Sequence, residues 1–283
     1  VVARPSHLFR VDGDTLIPTD LVRGPWDHGH QHGGAVCGAL GWAVRRALLA
    51  DDPELADDPD RLQLCRLTTE ILRPVPAVAL AHRAAVVRRG RRSRVAEAGL
   101  YDGDQLVARA SSGWSVVRPR DGEGAGQDAD VDPAVPLRPV VATDPGASDV
   151  GYPRPGFNCD VFELRCLVGS TEEPGPGIVW TRMVVELVEG AGDHPVHRLA
   201  TVADLGNAVG WTHSPNGVPM VNSDVTLQLL RYPRGEWVCL DSRSRATTGG
   251  IGMMETTLWD GDGRFGQVLS TTVESPIPLA IDL

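Results

Sequence analysis

Apolar residues recur along this chain with two periods. From Gly33 to about Ala50 they fall at Val36, Leu40, Ala43, Val44 and Ala47, a spacing that predicts an amphipathic helix. The stretch Leu199–Trp211, LATVADLGNAVGW, has the same spacing at Leu199, Val202, Leu205 and Val209 and predicts a second buried helix. Asp193-His194-Pro195 opens it, with Pro where a first helical turn tolerates it. Elsewhere the period shortens towards two, as strands require. Strands are expected at Leu62–Leu72, Val78–Val87 and Val95–Val117, the last folded back around Asp102-Gly103-Asp104. The later set is Asp160–Val168, Ile178–Val188, Val221–Leu230, Trp237–Ser244, Met253–Trp259 and Arg264–Val273. Phe9–Leu16 reads as a hairpin about Asp12-Gly13-Asp14, and Asp51–Asp60 as an acidic loop. Between the halves, Arg118–Gly156 is rich in Pro, Gly and Asp and lacks periodicity, which predicts an exposed linker.

The second half repeats the first. Leu72-Arg73-Pro74 and Leu230-Arg231-Tyr232-Pro233 each end a strand, and Tyr101-Asp102-Gly103-Asp104 and Trp259-Asp260-Gly261-Asp262 each turn the last hairpin. Arg73 to Arg231 and Asp102 to Asp260 have the same offset, the signature of an internal duplication. One long helix followed by several antiparallel strands makes each unit α+β, because each helix must bury its stripe against its own sheet.

Composition narrows the class. The chain has 283 residues, 42% hydrophobic and 23% charged, enough for an ample core. A net charge of −10 argues against nucleic acid and anionic membrane as partners. Five scattered cysteines without a CxxC fit reduced thiols in a cytoplasm. No leader and no bilayer-length apolar run is apparent.

Candidate chemistry gathers at the two helices. Asp204 lies off its helix's apolar stripe, beside Ala200, Asn207 and Ala208, where small neighbours leave room for a ligand. A solvated Asp on an ordinary amphipathic helix is the competing reading. Far upstream, His32-Gly33-Gly34 opens the other helix. Two glycines at a helix start suggest close backbone approach, and first-turn N–H groups point at whatever sits there. His28, His30 and His32 alternate, yet no acid or Cys completes a metal-ligand set, so a loop packed on a helix end is expected and no metal or other cofactor. Arg88–Arg94 is a basic turn in an acidic protein. It reads either as a phosphate site, with Arg91 and Arg92 holding a nucleotide-like ligand, or as a solvated hairpin turn.

The combination GPW…HGG, RLTTEILRPVP, VVRRGRRS and YDGDQLVARA resembles the N-terminal half of acyl-CoA thioesterases with a double hotdog fold. ADLGNAVGW, NSDVTLQLLRYPRGEW and the final Asp-Gly turn are similar to their C-terminal half. The resemblance implies an α+β double hotdog, two long central helices wrapped by a continuous antiparallel β-sheet. The units would span 1–118 and 157–283, with 119–156 as linker and assembly into a homo-oligomer. It also implies hydrolysis of an acyl-CoA or related acyl thioester. In acyl-CoA thioesterase II an Asp on the second helix, a Thr on the next strand and a Gln on the last strand activate a water. The Asp matches Asp204 and the Thr position matches Asn222, while the Gln position falls at Ser270 or Thr271, so the amide is lost. Single-unit relatives pair HGG with the acid across a dimer. Here the first helix has Trp42 where the acid would be and the second begins with Pro195, which lacks an N–H. One site is therefore expected, Asp204 facing Gly33 and Gly34, with His32, Asn207 and Trp42 as substrate contacts.

The chemistry fits without the family. A thioester needs a positioned water, a base and oxyanion donors. A buried carboxylate, its pKa raised by burial, can be the base or attack directly, and helix-start N–H groups can be the donors. Trp42, Trp211 and Met253-Met254 are candidates for an acyl pocket, or plain core. There is no GxSxG elbow, GxGxxG or P-loop. A hotdog enoyl-CoA hydratase or dehydratase is a rival, because Asp27 and His32 have the spacing of D-x-N-P-x-H without its Asn-Pro. A non-catalytic acyl-thioester-binding protein is another, favoured by the missing Gln.

Overall fold

Inward and outward side chains alternate along the strands, and the inward rows close over the helices in a single sheet. Residues 5–24, 27–117, 157–169 and 173–275 are described by the structure, a computed structural model; the expected linker at 119–156 lies outside them, as do Pro25 and Trp26. The early strands are β1 (His7–Asp12), β2 (Thr15–Pro18), β3 (Leu62–Ile71), β4 (Leu80–Arg89), β5 (Ser93–Asp102) and β6 (Gln105–Val116). The later ones are β7 (Phe162–Val168), β8 (Gly177–Met183), β9 (Glu186–Val188), β10 (Met220–Asn222), β11 (Asp224–Leu229), β12 (Val238–Ala246), β13 (Ile251–Asp260) and β14 (Gly263–Glu274). Together they form a 14-stranded sheet in the order β7-β8-β12-β13-β14-β11-β3-β6-β5-β4-β2-β1-β9, with β10 on β14.

The seam of this sheet is the antiparallel β3–β11 pair, where Thr68 faces Thr226. Their hydroxyls are 3.2 Å apart and the residues 158 apart in sequence, the offset of the duplication. Each Thr thus meets its own repeat, and strands run outward from both sides in the same order. One pairing departs from the expected all-antiparallel sheet: β9 lies parallel to β1, with Phe9 opposite Val188.

The helices depart further from expectation. α1 (Gly33–Asp51) is a single 19-residue helix, buried on Val36, Leu40 and Val44 as its spacing requires. The second predicted helix is not one long helix. It comprises α4 (Pro195–Val202), a 3-10 turn at Ala203–Leu205 and the four-residue α5 (Gly206–Val209). The break has a tertiary cause. Gly206 lies directly on the sheet, where a Cβ would stand 2.3 Å from Thr256 Oγ1 and 2.6 Å from Met254 Sδ. Asn222 Nδ2 also donates to the backbone oxygen of Asp204 (3.4 Å), tethering the tightened turn to β10. The acidic loop contains the short α2 (Pro53–Asp57), capped by Asp52 with Pro at its start.

α1 and α4 cross closely because α1 carries glycine where they touch. A Cβ at Gly38 would stand 2.3 Å from Thr201 Oγ1 and 2.7 Å from Leu187, and one at Gly41 would stand 2.8 Å from the Ala200 Cβ. Ala would raise helix propensity at position 38, but this contact outweighs it. Gly38→Ala is expected to destabilise by about 1–3 kcal/mol through overpacking, read as a lower Tm. An unchanged or raised Tm would mean that the helices can part at no cost.

Candidate active site

The start of α1 and the break in the second helix meet at the sheet's inner face. His32 caps α1: its Nδ1 lies 3.0 Å from the Gly34 N–H. Its Nδ1 is also 3.1 Å from Asp204 Oδ2. Asp204 is 7% exposed and His32 8%, which removes the solvated-Asp reading. The close backbone approach expected of the two glycines is there: a Cβ on Gly33 would lie 2.6 Å from Asp204 Oδ2. Asn222 Nδ2 donates to Asp204 Oδ1 at 2.7 Å. Phe157, opening α3 (Phe157–Asp160), stacks on the His32 ring at 4.2 Å and 13°.

Charge decides the protons here. One Nδ1 cannot both accept the Gly34 N–H and donate to Asp204. The Gly34 N–H, fixed at the helix start, lies within reach of both Nδ1 and the Asp204 carboxylate. Burial pushes the Asp204 carboxyl up, but the His32, Asn222 and Gly34 donors outweigh it, and its pKa falls below the ordinary value. The expected rise from burial is therefore reversed. Cys37 lies within reach of the same field; burial first, and then Asp204, push its thiol up, so it stays neutral.

Other candidates separate. On β14, Ser270 is buried and Thr271 exposed, so strand alternation keeps Thr271 out of the site. Thr272, which sequence reasoning missed, is the residue opposite Asn222 and is 1% exposed. Asn222 Oδ1, Ser270 Oγ and Thr272 Oγ1 are all buried without a hydrogen-bond partner among the described residues. Such groups carry a desolvation cost unless a water or ligand meets them. The signal for Thr272 was the inward parity of β14, readable only once Asn222 and β14 are known to pair. Met254 is buried and Met253 exposed, which splits the Met pair across the sheet. Asn207 Nδ2 is occupied by the Met220 carbonyl at 3.0 Å.

Trp42 packs on His82 beneath Arg46, further along α1. Arg91 and Arg92 are further still. The basic turn adjoins the last residues of α1, where Arg89 pairs with Asp51 and Arg94 with Asp52 (2.9 Å). A cleft there is lined by Asp52, Glu54, Arg61, Arg91 and Arg94. Along α1 it lies about 27 Å from Gly33. Of the three alternate histidines, His30 faces Asp27 at 2.8 Å and His28 is exposed. Among the described residues no group of three His, Cys, Asp or Glu could hold a metal.

The repeat of this site is filled in. His194 caps α4 through Val196 N–H (3.2 Å) just as His32 caps α1. Burial, then Arg45, push His194 down to about 3, so it is neutral. Tyr232 stands edge-on to it, its hydroxyl taking the Leu64 N–H and donating to the Leu62 carbonyl.

Gly33 allows a test of the contact. Alanine fits its helical backbone, but its methyl would strike the Asp204 carboxylate. Gly33→Ala is expected to cut turnover at least tenfold with Tm within a few degrees. A fully active variant would show that the carboxylate need not stay against the helix start.

Two family models match the chain: the acyl-CoA thioesterase N-terminal domain over residues 22–114 and the C-terminal domain over 132–268. Among solved structures, the tesB protein of Mycobacterium avium subspecies paratuberculosis is 17% identical over 94% of this chain and 95% of its own, with a TM-score of 0.60. The acyl-CoA thioesterase II TesB2 of Mycobacterium marinum is 17% identical over 98% of both chains, at 0.60. A hot dog fold protein from Alicyclobacillus acidocaldarius is 17% identical over 94% of both, at 0.62. At such identities the likeness is one of fold. No curated protein matches the sequence.

Proposed function

This chain belongs to the acyl-CoA thioesterase family, and from that premise we propose that it hydrolyses an acyl-CoA, or a related acyl thioester, at one composite site built from both halves. The observation that carries the single site is the 3.1 Å approach of His32, at the head of α1, to Asp204 from the second helix. Asp204 and Asn222 hold the attacking water, and unpartnered Ser270 and Thr272 hydroxyls offer it further polar contacts. The Gly33 N–H, which makes no hydrogen bond within the described residues, is the donor for the developing oxyanion. Met254, buried beside Gly206, borders the acyl chain. The repeated site is idle, because Trp42 stands for the acid and Tyr232 fills the space. Arg91 and Arg92, at the far end of α1 from the thioester, are candidates for the nucleotide phosphates of CoA rather than for the chemistry.

The chain is read as two hotdog units, 1–118 and 157–283, joined by 119–156. Limited proteolysis should cut within that linker first. Ile251 opposite Val273, with Met253 and Leu269, leaves apolar side chains on the sheet's outer face and supports a homo-oligomer. The free Cys37 and Cys239 support a reducing, cytoplasmic setting; among the described residues no helix is long and apolar enough to cross a membrane.

The test is thiol release from a panel of acyl-CoAs, run beside a binding titration. Turnover of at least one member is expected. Binding without turnover would favour the acyl-thioester-binding reading, for which the lost Gln speaks. The hydratase reading has no support from Asp27, whose carboxylate is taken by His30 and the Gly29 N–H.

A further inference from the structure

We propose that the acyl group taken by this site carries a neutral oxygen, a hydroxyl or an oxo group, along its chain, and that Ser244 and Ser270 on the inner sheet face receive it. This rests on the hydrolytic reading above and names the substrate class of that site.

The observations lie in one cross-strand row. Ser244 on β12 pairs with Met254 on β13, and Met254 pairs with Ser270 on β14. Residues directly opposite share a face, and Met254 is part of the core, so the two serines point inward on either side of it. Ser270 is 3% exposed. The Oγ atoms of both serines are sealed from solvent and meet no hydrogen-bond partner among the described residues. A hydroxyl left unmet in this way costs about 1–3 kcal/mol. The row therefore suits a polar atom that the described chain does not supply.

The attacking water accounts for only part of this. It lies by Asp204 and Asn222, and Asn222 is opposite Thr272, so Thr272 and, two residues along β14, Ser270 are within its reach. Ser244 is two strands beyond Ser270, about 10 Å away, too far for the same water. A second water there would need two or more polar partners. The hydroxyls of the adjoining row, Ser242 and Thr256, are 2.8 Å apart and bonded to each other, and Thr256 Oγ1 also meets Met254 Sδ at 2.9 Å. An oxygen carried on the acyl chain needs no such cage, because the chain itself brings it there. The chain's methylenes would lie on Met254 and its oxygen on the serines.

Charge narrows the class. The serine row and its neighbour, Gly252, Thr272 and Asn222, hold no cationic side chain, and the buried Asp204 carboxylate stands at the head of the chain. A second carboxylate on the acyl group would be buried without a counter-charge. A hydroxyl or oxo group carries no such penalty, and a serine can donate to either.

The experiment compares chains of one length. Hexanoyl-CoA is set against β-hydroxyhexanoyl-, ω-hydroxyhexanoyl-, δ-oxohexanoyl- and adipoyl-CoA, with kcat/KM read by thiol release and Kd by titration of the same compounds. At least one neutral oxygenated chain should exceed hexanoyl-CoA by about tenfold or more, and adipoyl-CoA should be poor. In a Ser244→Ala, Ser270→Ala double variant that ratio should fall below about threefold. Neither hydroxyl has a protein partner to strand, so the variant should fold. A purely structural role would move stability and leave the ratio alone. The substrate class is overturned, and hydrolysis left standing, if no neutral oxygenated chain reaches tenfold, if adipoyl-CoA is the best substrate, or if the preference survives the double variant. No turnover of any thioester overturns the hydrolytic reading alone, because the Kd ratios then decide the class by the same limits. No binding of any of them overturns both.

Discussion

Asp204→Asn is expected to lower kcat by roughly 10³–10⁴ while the protein stays folded and KM changes little. Asn matches the carboxylate in shape but carries no charge. Its amide would also present a donor to Asn222 Nδ2, which donates to Asp204 now, or stand at 3.1 Å from His32 Nδ1 without a charge. An amide cannot take a proton from the attacking water as the carboxylate can. Removing a desolvated charge relieves a burial cost, which offsets part of the lost hydrogen bonding, so Tm should move by only a few degrees. Trp42→Phe is the matched control, because Trp42 is the residue where the idle repeat would need its acid. Its kcat should stay within about threefold, since a smaller ring in that packing changes no charge near Asp204. Steady-state kinetics with circular dichroism as a folding check decide the matter. An Asp204→Asn enzyme retaining a tenth of wild-type kcat, or a Trp42→Phe enzyme equally crippled, would sink the single composite site.

Arg231→Ala should be the most damaging change away from the site. Asp260 is fully buried and accepts from both Arg231 guanidinium nitrogens, Nη2 at 2.9 Å, and from the backbone N–H groups of Arg234 and Asp262. Truncating the arginine strands a buried carboxylate, a change that costs about 3–5 kcal/mol. At this chain length a fall in Tm of roughly 10 °C follows. The equivalent Arg73 and Asp102 in the first half are both exposed, so Arg73→Ala should stay within about 0.5 kcal/mol. Burial pushes Asp260 up, but Arg231 and the two N–H groups more than offset it, and its pKa is lowered in the folded state. Stability from this pair is thus present above the unfolded aspartate value, near pH 3.9, and is lost as pH falls through the lower folded one. Melting curves of both variants at pH 7 and pH 4 test this; equal shifts for Arg73 and Arg231 would overturn it.

What the sequence determined is what neighbouring residues decide together. The 3.6-residue stripe from Val36 to Ala47 made α1, and strand alternation with Asp-Gly turns made the hairpins, because these are short-range preferences of backbone and solvent. The duplicated order also made two like units predictable, and His32-Gly33-Gly34 with Asp204 as a pair followed from what each half lacked. Only the tertiary structure decided matters set by contacts distant in the chain. The second helix breaks because Gly206 must lie on Met254 and Thr256, some fifty residues later. The Asp204 pKa falls because donors from α1 and β10 outnumber the burial term, and no spacing within its own helix reveals that count. Thr272 faces inward, and Thr271 does not, by a cross-strand register that a one-residue slip would invert. Arg91 and Arg92 are set apart from the chemistry by the length of α1, which a linear reading does not convert into distance. Local energetics choose the elements; which elements touch, and with what charge, is chosen only when the whole sheet closes.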